Sequence, residues 1–370
     1  MDIEWSDGSK YNSFNSWKGL TYYQHYQKTV GWLAGQNPLP PPIEANLDPY
    51  AECNLNCYFC ITQRYLRHQR GEVGPMRKLP TDYLYRLVDF LAAWGVQGLC
   101  ISGGGEPSLH EGVWGLPTYA ADRGMDVAFV TNGVSISEEL AVNLLKCRWV
   151  SFSVDAADRV TYLKVKSKDR FDAVVANIRR LTQMRQEVHS KVDFCFKYLV
   201  LPENIFSIFQ ACRLAKKLGV QDFHVRPVDF ERPDIRGHKP LSIDVPRVKE
   251  EFARCHEEET TDFHVYTVTH KFNSDFHIEH NFTRCFATLI LPILTDGNAY
   301  LCVDRKMEAK NRLGSCFPDP TQILNWWGSE AHRRLMQGVD ISTCSRCTGS
   351  QYNMQTENVV LEDRLCRNFP

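Results

Sequence analysis

The chain has 370 residues, which suits one large domain or a domain of about 200 residues with a smaller second one. Its 43 Lys and Arg residues balance 44 Asp and Glu residues, so it lacks the basic footprint of a nucleic-acid-binding protein. The polar start MDIEWSDGSK does not resemble a signal peptide, and no apolar stretch is long enough to cross a membrane. We therefore expect a cytoplasmic protein without nucleic-acid or membrane partners. Its fourteen cysteines then indicate metal binding or redox chemistry rather than disulfides.

Residues 1–45 form an N-terminal extension that is aromatic and polar and ends in a proline run, Pro38 to Pro42. Proline-rich segments are stiff and extended. We therefore predict an extended lead-in to the first domain.

From residue 46 to 240, predicted strands and helices alternate. After a strand at 44–47, Thr81 is predicted to cap a helix that Gly95 ends. Further strands are predicted at 96–102, 126–131, 149–154, 192–200 and 222–226, with helices at 137–146, 171–185 and 206–218. This α/β alternation predicts parallel strands. About six β/α units fit, and a complete eight-unit barrel usually takes about 250 residues, so we expect a partial TIM-like barrel.

Residues 241–370 are predicted to form a small α+β domain, with a helix at 246–256 and a strand at 263–268. The sequence Thr295-Asp-Gly-Asn298 between apolar segments at 287–294 and 299–303 favours a β-hairpin, because Asp-Gly accepts the positive φ angles of a tight turn. A helix is predicted at 321–337.

Seven cysteines form two groups, while the others are scattered. Cys53, Cys57 and Cys60 lie within eight residues, and the later group is Cys285, Cys302, Cys344 and Cys347. Structural zinc usually takes four ligands, whereas the first group offers three thiols. Three thiolates on a four-iron cluster leave one iron open to an exogenous ligand. An incidental zinc loop is the alternative.

The Cys-x3-Cys-x2-Cys spacing, with Phe59 before the last cysteine, resembles the signature of radical S-adenosylmethionine (SAM) enzymes. The resemblance implies that the open iron of a [4Fe-4S] cluster binds SAM and that the reduced cluster cleaves it to methionine and a 5′-deoxyadenosyl radical. It also implies an external reductant such as flavodoxin or ferredoxin. A non-catalytic iron–sulfur carrier or sensor is an alternative without a SAM pocket.

Other segments resemble the family's SAM-binding motifs. The segment Gly103-Gly104-Gly105-Glu106-Pro107 resembles the GGEP motif, where the glycine backbone and the nearby Glu bind the SAM amino group. Phe59 would lie by the adenine. The resemblance places Asn132 at the third strand end and Ser153 and Asp155 at the fourth, where polar groups meet the ribose and carboxylate of SAM. A strand-end turn at Asn132-Gly133 and a helix cap at Asp155 are the alternatives.

The later cysteines resemble the SPASM/Twitch extensions of many radical SAM enzymes. The resemblance implies an auxiliary [4Fe-4S] cluster held by Cys285, Cys302, Cys344 and Cys347. Residues 348–365 contain no cysteine, which departs from full SPASM domains and favours the single-cluster Twitch form. Cys316 or Cys366 could substitute as a ligand, and a structural zinc is the alternative.

The resemblance implies oxidation of a small hydroxylated metabolite, such as a sugar, cyclitol or nucleoside, with the auxiliary cluster accepting the electron. Redox-neutral epimerisation or elimination is a second possibility. Epimerisation would need a hydrogen-donating thiol, and the candidates are Cys195, Cys255, Cys316 and Cys366. Peptide maturation is a third, for which the 45-residue extension is short as a leader-peptide-binding domain.

Polar residues near these motifs supply the remaining candidates. Asp304, Arg305 and Lys306 follow Cys302 and are predicted to be catalytic, facing the substrate or taking its proton, with solvated surface as the alternative. Lys197 and Arg226 lie on late barrel strands and could point inward to the substrate or the SAM carboxylate. A further candidate metal-binding set, with ordinary strand residues as the alternative, is His277, Glu279 and His280.

Overall fold

The computed structural model describes residues 22–62, 76–228, 243–268, 280–344 and 347–358. Within these residues, ten strands form one sheet. They are β1 (Glu44–Leu47), β2 (Gly98–Ile101), β3 (Asp126–Thr131), β4 (Trp149–Ser153), β5 (Asp193–Val200), β6 (Asp222–Pro227), β7 (His264–Thr267), β8 (Ile290–Ile293), β9 (Asn298–Tyr300) and β10 (Arg312–Ser315).

The strand order is β10-β9-β8-β1-β2-β3-β4-β5-β6-β7. Neighbours from β1 to β7 are parallel, and β8 is parallel to β1 on its other side. β9 and β10 extend the sheet in antiparallel fashion. The predicted α/β fold with a partial TIM-like barrel is therefore confirmed.

Eleven α-helices lie in the described residues. They are α1 (Tyr23–Leu33), α2 (Thr81–Trp94), α3 (Leu116–Ala121), α4 (Glu138–Leu144), α5 (Arg159–Lys166), α6 (Phe171–Glu187), α7 (Ile208–Lys217), α8 (Val245–His256), α9 (Ile323–Trp326), α10 (Glu330–Gln337) and α11 (Ser350–Glu357). Among the described residues, no helix has the length and apolar character needed to cross a membrane.

Helix α2 shows how sequence pattern produces the outer layer. Leu84, Leu87 and Leu91 recur at helical spacing, and all three are fully buried. Gly95 ends the helix in the left-handed region, with φ of 104°. The predicted cap is wrong, because Thr81 is already the first helical residue and Pro80 precedes it.

The barrel strands separate an apolar outer face from a polar lumen. Along β5, Phe194, Phe196 and Tyr198 are fully buried in the apolar core, because successive strand residues point to opposite faces. Lys197 lies between them and faces the lumen. The register pairs Lys197 with Ser153 of β4 and with His224 of β6, so the lumen is lined by polar side chains at this level.

The predicted extended lead-in is wrong in part, because residues 23–33 form helix α1. This helix packs against the C-terminal part of the chain. The Trp32 indole donates a hydrogen bond to the Gly328 carbonyl at 2.9 Å, and the Arg333 guanidinium donates to the Leu33 carbonyl at 2.9 Å. Aromatic and cationic partners distant in sequence therefore stabilise a helix that local sequence does not reveal.

The strand predicted at 263–268 belongs to the barrel rather than to a separate C-terminal domain. It is β7 and pairs in parallel with β6, and the preceding α8 packs on α7. The predicted boundary itself, near residue 240, falls outside the described residues. The predicted hairpin is present as β8 and β9, with Gly297 at φ of 75°. The helix predicted at 321–337 is interrupted at Gly328, which separates α9 from α10.

Candidate active site

The loop after β1 carries Cys53, Cys57 and Cys60, all half-buried. The pKa of the Cys53 thiol is raised to about 11 and that of the Cys57 thiol to about 12, chiefly by burial and in part by the charges of neighbouring thiolates. The three sulfurs therefore lie close enough to repel one another when ionised. A cationic metal centre offsets this repulsion and deprotonates the thiols on binding.

Polar groups surround these sulfurs. The Leu55 amide donates to Cys53 Sγ at 3.4 Å, and the Asn132 side-chain amide reaches the same sulfur at 3.7 Å. Cys60 Sγ lies 3.0 Å from the Thr62 hydroxyl, which donates to the Gly104 carbonyl at 2.7 Å. Hydrogen bonds to sulfur tune iron–sulfur clusters, so this donor set fits such a cluster. In the described part of the chain, no three His, Cys, Asp or Glu side chains converge around a single metal ion.

The glycine loop after β2 lies directly against the thiol loop. A Cβ atom built on Gly105 would lie 2.3 Å from the Glu52 carbonyl oxygen, which no side chain tolerates. The amide of Gly105 donates to the Tyr50 carbonyl at 3.1 Å, and that of Glu106 donates to the Glu52 carbonyl at 2.7 Å. Glycine is therefore required here by close backbone approach.

Glu106 is buried and links the loop after β2 to the end of β3. Its carboxylate accepts hydrogen bonds from Ser108 N at 3.1 Å, Thr131 Oγ1 at 2.6 Å and Asn132 N at 2.7 Å. Burial raises the pKa of Glu106, and these hydrogen bonds lower it in part. The carboxylate thus holds the glycine loop on β3.

Asn132 connects the end of β3 to the thiol loop. Its amide nitrogen donates to Asn54 Oδ1 at 2.7 Å, and its oxygen accepts from Val134 N at 3.0 Å. Gly133 follows with φ of 75°. The strand-end turn considered for this pair is present, and it places the Asn132 side chain beside Cys53.

Asp155 lies beyond Ser153, where β4 ends. Its carboxylate forms a buried ion pair with Lys166 and accepts from Leu199 N at 2.7 Å. The predicted alternative of a helix cap is wrong, because Asp158 caps α5 through Thr161 N. A direct contact of Asp155 with SAM stays a prediction.

Sequence reasoning missed Lys166. Its ammonium lies 5.4 Å from the ring centroid of Phe59, which is itself buried. Burial lowers the pKa of Lys166, but the charges of Asp155 and Cys57 raise it, and the net pKa is above its ordinary value. A buried cation therefore lies beside the thiol loop. Lys166 sits in α5, a helix absent from the predicted elements.

The later cysteines come together from separate segments. Cys285 precedes β8, Cys302 follows β9, and Cys344 and Cys347 lie before α11. Burial raises the pKa of Cys285 to about 12 and raises the pKa of Cys302 and Cys347 as well, with added contributions from one another's charges. Electrostatic interactions link Cys285 to Cys302, Cys344 and Cys347, and four soft thiol ligands suit a closed iron–sulfur cluster.

Of the three predicted catalytic residues, Asp304 and Arg305 form hydrogen bonds that hold the segments carrying these cysteines. Asp304 is 3% exposed and accepts hydrogen bonds from the Thr348 amide at 2.7 Å and hydroxyl at 2.9 Å. Arg305 pairs with Glu308 at 3.0 Å and donates to Cys344 Sγ at 3.6 Å. These contacts explain their charge without a substrate.

Lys306 instead crosses to the barrel. Its ammonium lies 2.7 Å from Asp48 Oδ2 and donates to Asn46 Oδ1 at 3.1 Å. The Ser102 hydroxyl donates to Asp48 Oδ1 at 3.1 Å. Asp48 and Ser102 directly follow β1 and β2, so Lys306 reaches the carboxyl edge of the sheet where the glycine loop begins. Asp48 was not identified from the sequence.

The remaining candidates are the possible substitute ligands Cys316 and Cys366 and the set His277, Glu279 and His280. Cys316 is buried and donates to the Gly297 carbonyl at 3.2 Å, and its own carbonyl accepts from the Tyr83 hydroxyl of α2 at 2.7 Å. His280 hydrogen-bonds the Cys344 carbonyl at 2.7 Å. His277, Glu279 and Cys366 lie outside the described residues.

Additional contacts around the four thiols were not predicted. The Asn353 amide donates to Cys347 Sγ at 3.4 Å, and its oxygen accepts from Phe286 N at 2.8 Å. Asn353 belongs to α11, 51 positions after Cys302 in a helix without a sequence motif. No local pattern marks such a contact.

Known proteins match this chain over its barrel. Residues 47–215 match the Radical SAM superfamily. The AdoMet-dependent heme synthase of Methanosarcina barkeri is 31% identical over 47% of this chain and 47% of its own length. The mycofactocin maturase MftC of Mycolicibacterium smegmatis is 29% identical over 49% and 43%, and the dTDP-4-amino-4,6-dideoxy-D-glucose ammonia-lyase of Streptomyces venezuelae 26% over 44% and 33%. The match therefore spans less than half the length of each of these relatives.

Solved structures share the fold over more of the chain. SuiB of Streptococcus suis bound to S-adenosylmethionine has a TM-score of 0.63 at 16% identity, over 85% of this chain and 72% of its own. The structure of anSMEcpe with bound AdoMet has a TM-score of 0.56 at 15% identity, over 80% of this chain and 83% of its own. Residues 47–215, which include the thiol loop, therefore match the Radical SAM superfamily in sequence, and the described chain shares the fold of these two structures.

Proposed function

We propose that this chain is a radical SAM oxidoreductase that removes hydrogen from a C–H bond of a small hydroxylated metabolite of sugar, cyclitol or nucleoside type. Cys53, Cys57 and Cys60 would hold the SAM-binding [4Fe-4S] cluster. When bound, this cluster and SAM supply a 5′-deoxyadenosyl radical, and an auxiliary cluster supplies an electron acceptor. The auxiliary ligands would be Cys285, Cys302, Cys344 and Cys347.

The observation that carries this proposal is the contact between Lys306 and Asp48. It anchors the loop that follows Cys302 on the carboxyl ends of β1 and β2. In parallel α/β folds, ligands bind at this edge of the sheet. The segment that carries Cys302 is therefore anchored at the same sheet edge as the glycine loop. An electron acceptor must lie near the substrate, and a substrate bound at this edge would meet that requirement.

The chain's own residues account for binding and proton transfer in this proposal. The backbone of Gly103, Gly104 and Gly105 would bind the SAM amino group. Oxidation of an alcohol to a ketone removes one hydrogen atom from carbon, one proton from oxygen and one electron. We assign the proton to a carboxylate oxygen of Asp48, which Lys306 and Ser102 hold in place.

The relatives do not agree on a substrate. They include a heme synthase, a maturase and an ammonia-lyase. One SuiB structure is bound to the precursor peptide SuiA, but likeness at 16% identity concerns the fold. The choice of a small metabolite rests on the polar lumen of this chain.

A redox-neutral reaction is the second candidate, and one observation favours it. Cys195 is fully buried on β5 and shares the lumen-facing side with Lys197. Burial raises the pKa of the Cys195 thiol, so it stays protonated and retains the S–H bond that a hydrogen donor needs. By contrast, Cys255 lies on α8 against Cys212.

The test is anaerobic reconstitution with iron and sulfide, followed by dithionite and SAM. We expect 5′-deoxyadenosine and about eight iron atoms per chain, four for each cluster. Absence of 5′-deoxyadenosine would contradict the enzyme proposal. With a turned-over substrate, deuterium taken up at carbon from D2O, and lost in Cys195→Ala, would favour the redox-neutral reaction over oxidation.

A further inference from the structure

A buried ion pair lies beside the thiol loop that carries Cys53, Cys57 and Cys60. The Lys166 ammonium contacts the Asp155 carboxylate, and the two side chains are 3% and 1% exposed. Desolvation of two buried charges offsets most of their mutual attraction, so such a pair is weak evidence for a role in stability. A role for these charges must then come from their surroundings.

Lys166 contacts the thiol loop through both its backbone and its side chain. The Asn56 amide donates to the Lys166 carbonyl at 3.4 Å, and the Lys166 ammonium lies 5.4 Å from the centroid of the Phe59 ring. Asn56 directly precedes Cys57, and Phe59 directly precedes Cys60. The cation is therefore held beside the segment of the loop that contains two of the three thiols.

The pair is oriented so that its positive charge acts more strongly than its negative charge on Cys57. Burial raises the pKa of the Cys57 thiol, the charge of Lys166 lowers it, and the charge of Asp155 raises it by a smaller amount. Asp155 is held by a second contact, because its other carboxylate oxygen accepts from the Leu199 amide at 2.7 Å. Its φ of 61° is in the left-handed region, which few residues other than glycine adopt. Backbone and side chain thus fix the direction of the pair.

A fixed positive charge beside a cluster ligand favours the reduced form of the cluster. Reduction adds one electron, and so one negative charge, to an iron–sulfur cluster, and its net charge and surroundings set its potential. Charges interact more strongly in a buried environment than in water. Since Lys166 and Asp155 are both buried, salt screens their field at the thiol loop only weakly.

We propose that the charge of Lys166 raises the reduction potential of the cluster held by Cys53, Cys57 and Cys60, and that Asp155 limits this effect. Lys166 would then favour the step in which one electron passes from the external reductant, which is oxidised, to the cluster, which is reduced. This inference rests on the proposed function, in which these thiols hold the cluster. An alternative role for the cation is to bind the carboxylate of SAM, and the experiment separates the two roles.

The experiment is a redox titration of the anaerobically reconstituted holoenzyme without SAM, followed by electron paramagnetic resonance. A parallel sample with SAM identifies the relevant signal, because SAM binds at the open iron and changes the spectrum of that cluster. The signal of the other cluster serves as an internal control.

The variants separate charge from packing. Lys166→Met removes the positive charge, Lys166→Arg keeps it, and Asp155→Asn removes the negative charge. The combination of Lys166→Met with Asp155→Asn removes both and leaves no buried charge unpaired, so it covers the case in which Lys166→Met fails to fold. Lys164→Met is the control at an exposed lysine of the same helix.

We expect Lys166→Met to lower the potential of the SAM-responsive cluster by about 59 mV, a tenfold change in the equilibrium constant of a one-electron reduction. A shift of this order is expected from one buried charge at an effective dielectric constant of about 20. Lys166→Arg and Lys164→Met should keep the wild-type potential. Asp155→Asn should raise the potential, and the double variant should fall between Lys166→Met and wild type. A purely structural role would instead move both single variants in the same direction.

Two results would overturn the inference alone. One is that Lys166→Met and Asp155→Asn shift the potential in the same direction. The other is that Lys166→Met and the double variant keep the wild-type potential. If SAM affinity, measured by calorimetry, then fell in Lys166→Met, the lysine would be assigned to the SAM carboxylate. If no signal of wild type responded to SAM, the proposed function would fail first, and the inference with it.

Discussion

The two thiol sites of this chain are built in opposite ways. Cys53, Cys57 and Cys60 lie on one eight-residue loop that leaves a barrel strand, so their spacing is fixed by sequence. The later four come from three segments between residues 285 and 347, and tertiary contacts alone bring them together. A site on a single loop can be recognised in the sequence as a motif. A site formed from several segments depends on the contacts that hold those segments together.

The residues that support each site reflect this difference. The first site is supported by the barrel itself, because Asn132 at the end of β3 contacts Cys53. The second site is held by hydrogen bonds between its segments. Asp304 accepts from the Thr348 amide, and the Asn353 side chain donates to Cys347 Sγ. We therefore expect damage to the first site to abolish chemistry, and damage to the second to be graded.

The largest expected effect separates the sites by single thiol replacements. Cys57→Ala should lose all 5′-deoxyadenosine formation and about four of about eight iron atoms, because the proposed SAM-binding cluster would lose a ligand. Cys347→Ala should also lose about four iron atoms but still cleave SAM. Iron analysis and chromatography of the nucleoside products measure both.

Cys147→Ala serves as the control, since Cys147 is buried in the apolar core away from both groups. Its iron content should equal that of wild type. If Cys347→Ala abolished SAM cleavage as completely as Cys57→Ala, the two sites would not be functionally separable in this way.

The link between the sites should show the next largest effect. Lys306→Met leaves the fully buried Asp48 carboxylate without its cation, and loss of one member of a buried pair typically costs about 3–5 kcal/mol in the free energy of unfolding. Anaerobic urea unfolding measures this change. The exposed Lys310→Met should change it by less than about 0.5 kcal/mol.

A double-mutant cycle with Asp48→Asn tests whether the loss belongs to the pair. Combining Lys306→Met with Asp48→Asn should recover part of the stability, because no charge is then stranded. Strictly additive losses would mean that the two residues stabilise the protein independently and that the contact does not join the sites.

Sequence pattern predicted the parts of the fold that depend on local periodicity. Strands β1 to β6, helix α2 and the hairpin at Gly297 follow from apolar spacing and turn chemistry. Helix α1 was missed because Trp32 is stabilised by Gly328, nearly 300 positions later. Strand β7 was recognised as a strand but assigned to the wrong unit, since pairing partners are set by topology.

The same limit applies to the candidate site. The thiol loop and Gly103–Glu106 were identifiable because their chemistry needs particular residues at fixed spacing. Asp48 and Lys166 were not identifiable, because the role of each depends on an ion pair with a residue in a different segment of the chain. Asp304 was noticed for its position after Cys302, but the structure gives its carboxylate to Thr348.

The smallest expected effect comes from removing the Asp304–Thr348 hydrogen bonds. This change discriminates best between the two thiol sites. Asp304→Ala leaves the buried amide and hydroxyl of Thr348 without their acceptor, at a cost of about 1–3 kcal/mol for each unsatisfied group. The loop that carries Cys347 should then open more often, so a chelator should remove iron faster from the second site alone. Introduced into Cys57→Ala, which should keep only the proposed second cluster, Asp304→Ala should accelerate iron release. Introduced into Cys347→Ala, it should not, and equal acceleration in both backgrounds would show that Asp304 stabilises the whole chain rather than the assembled site.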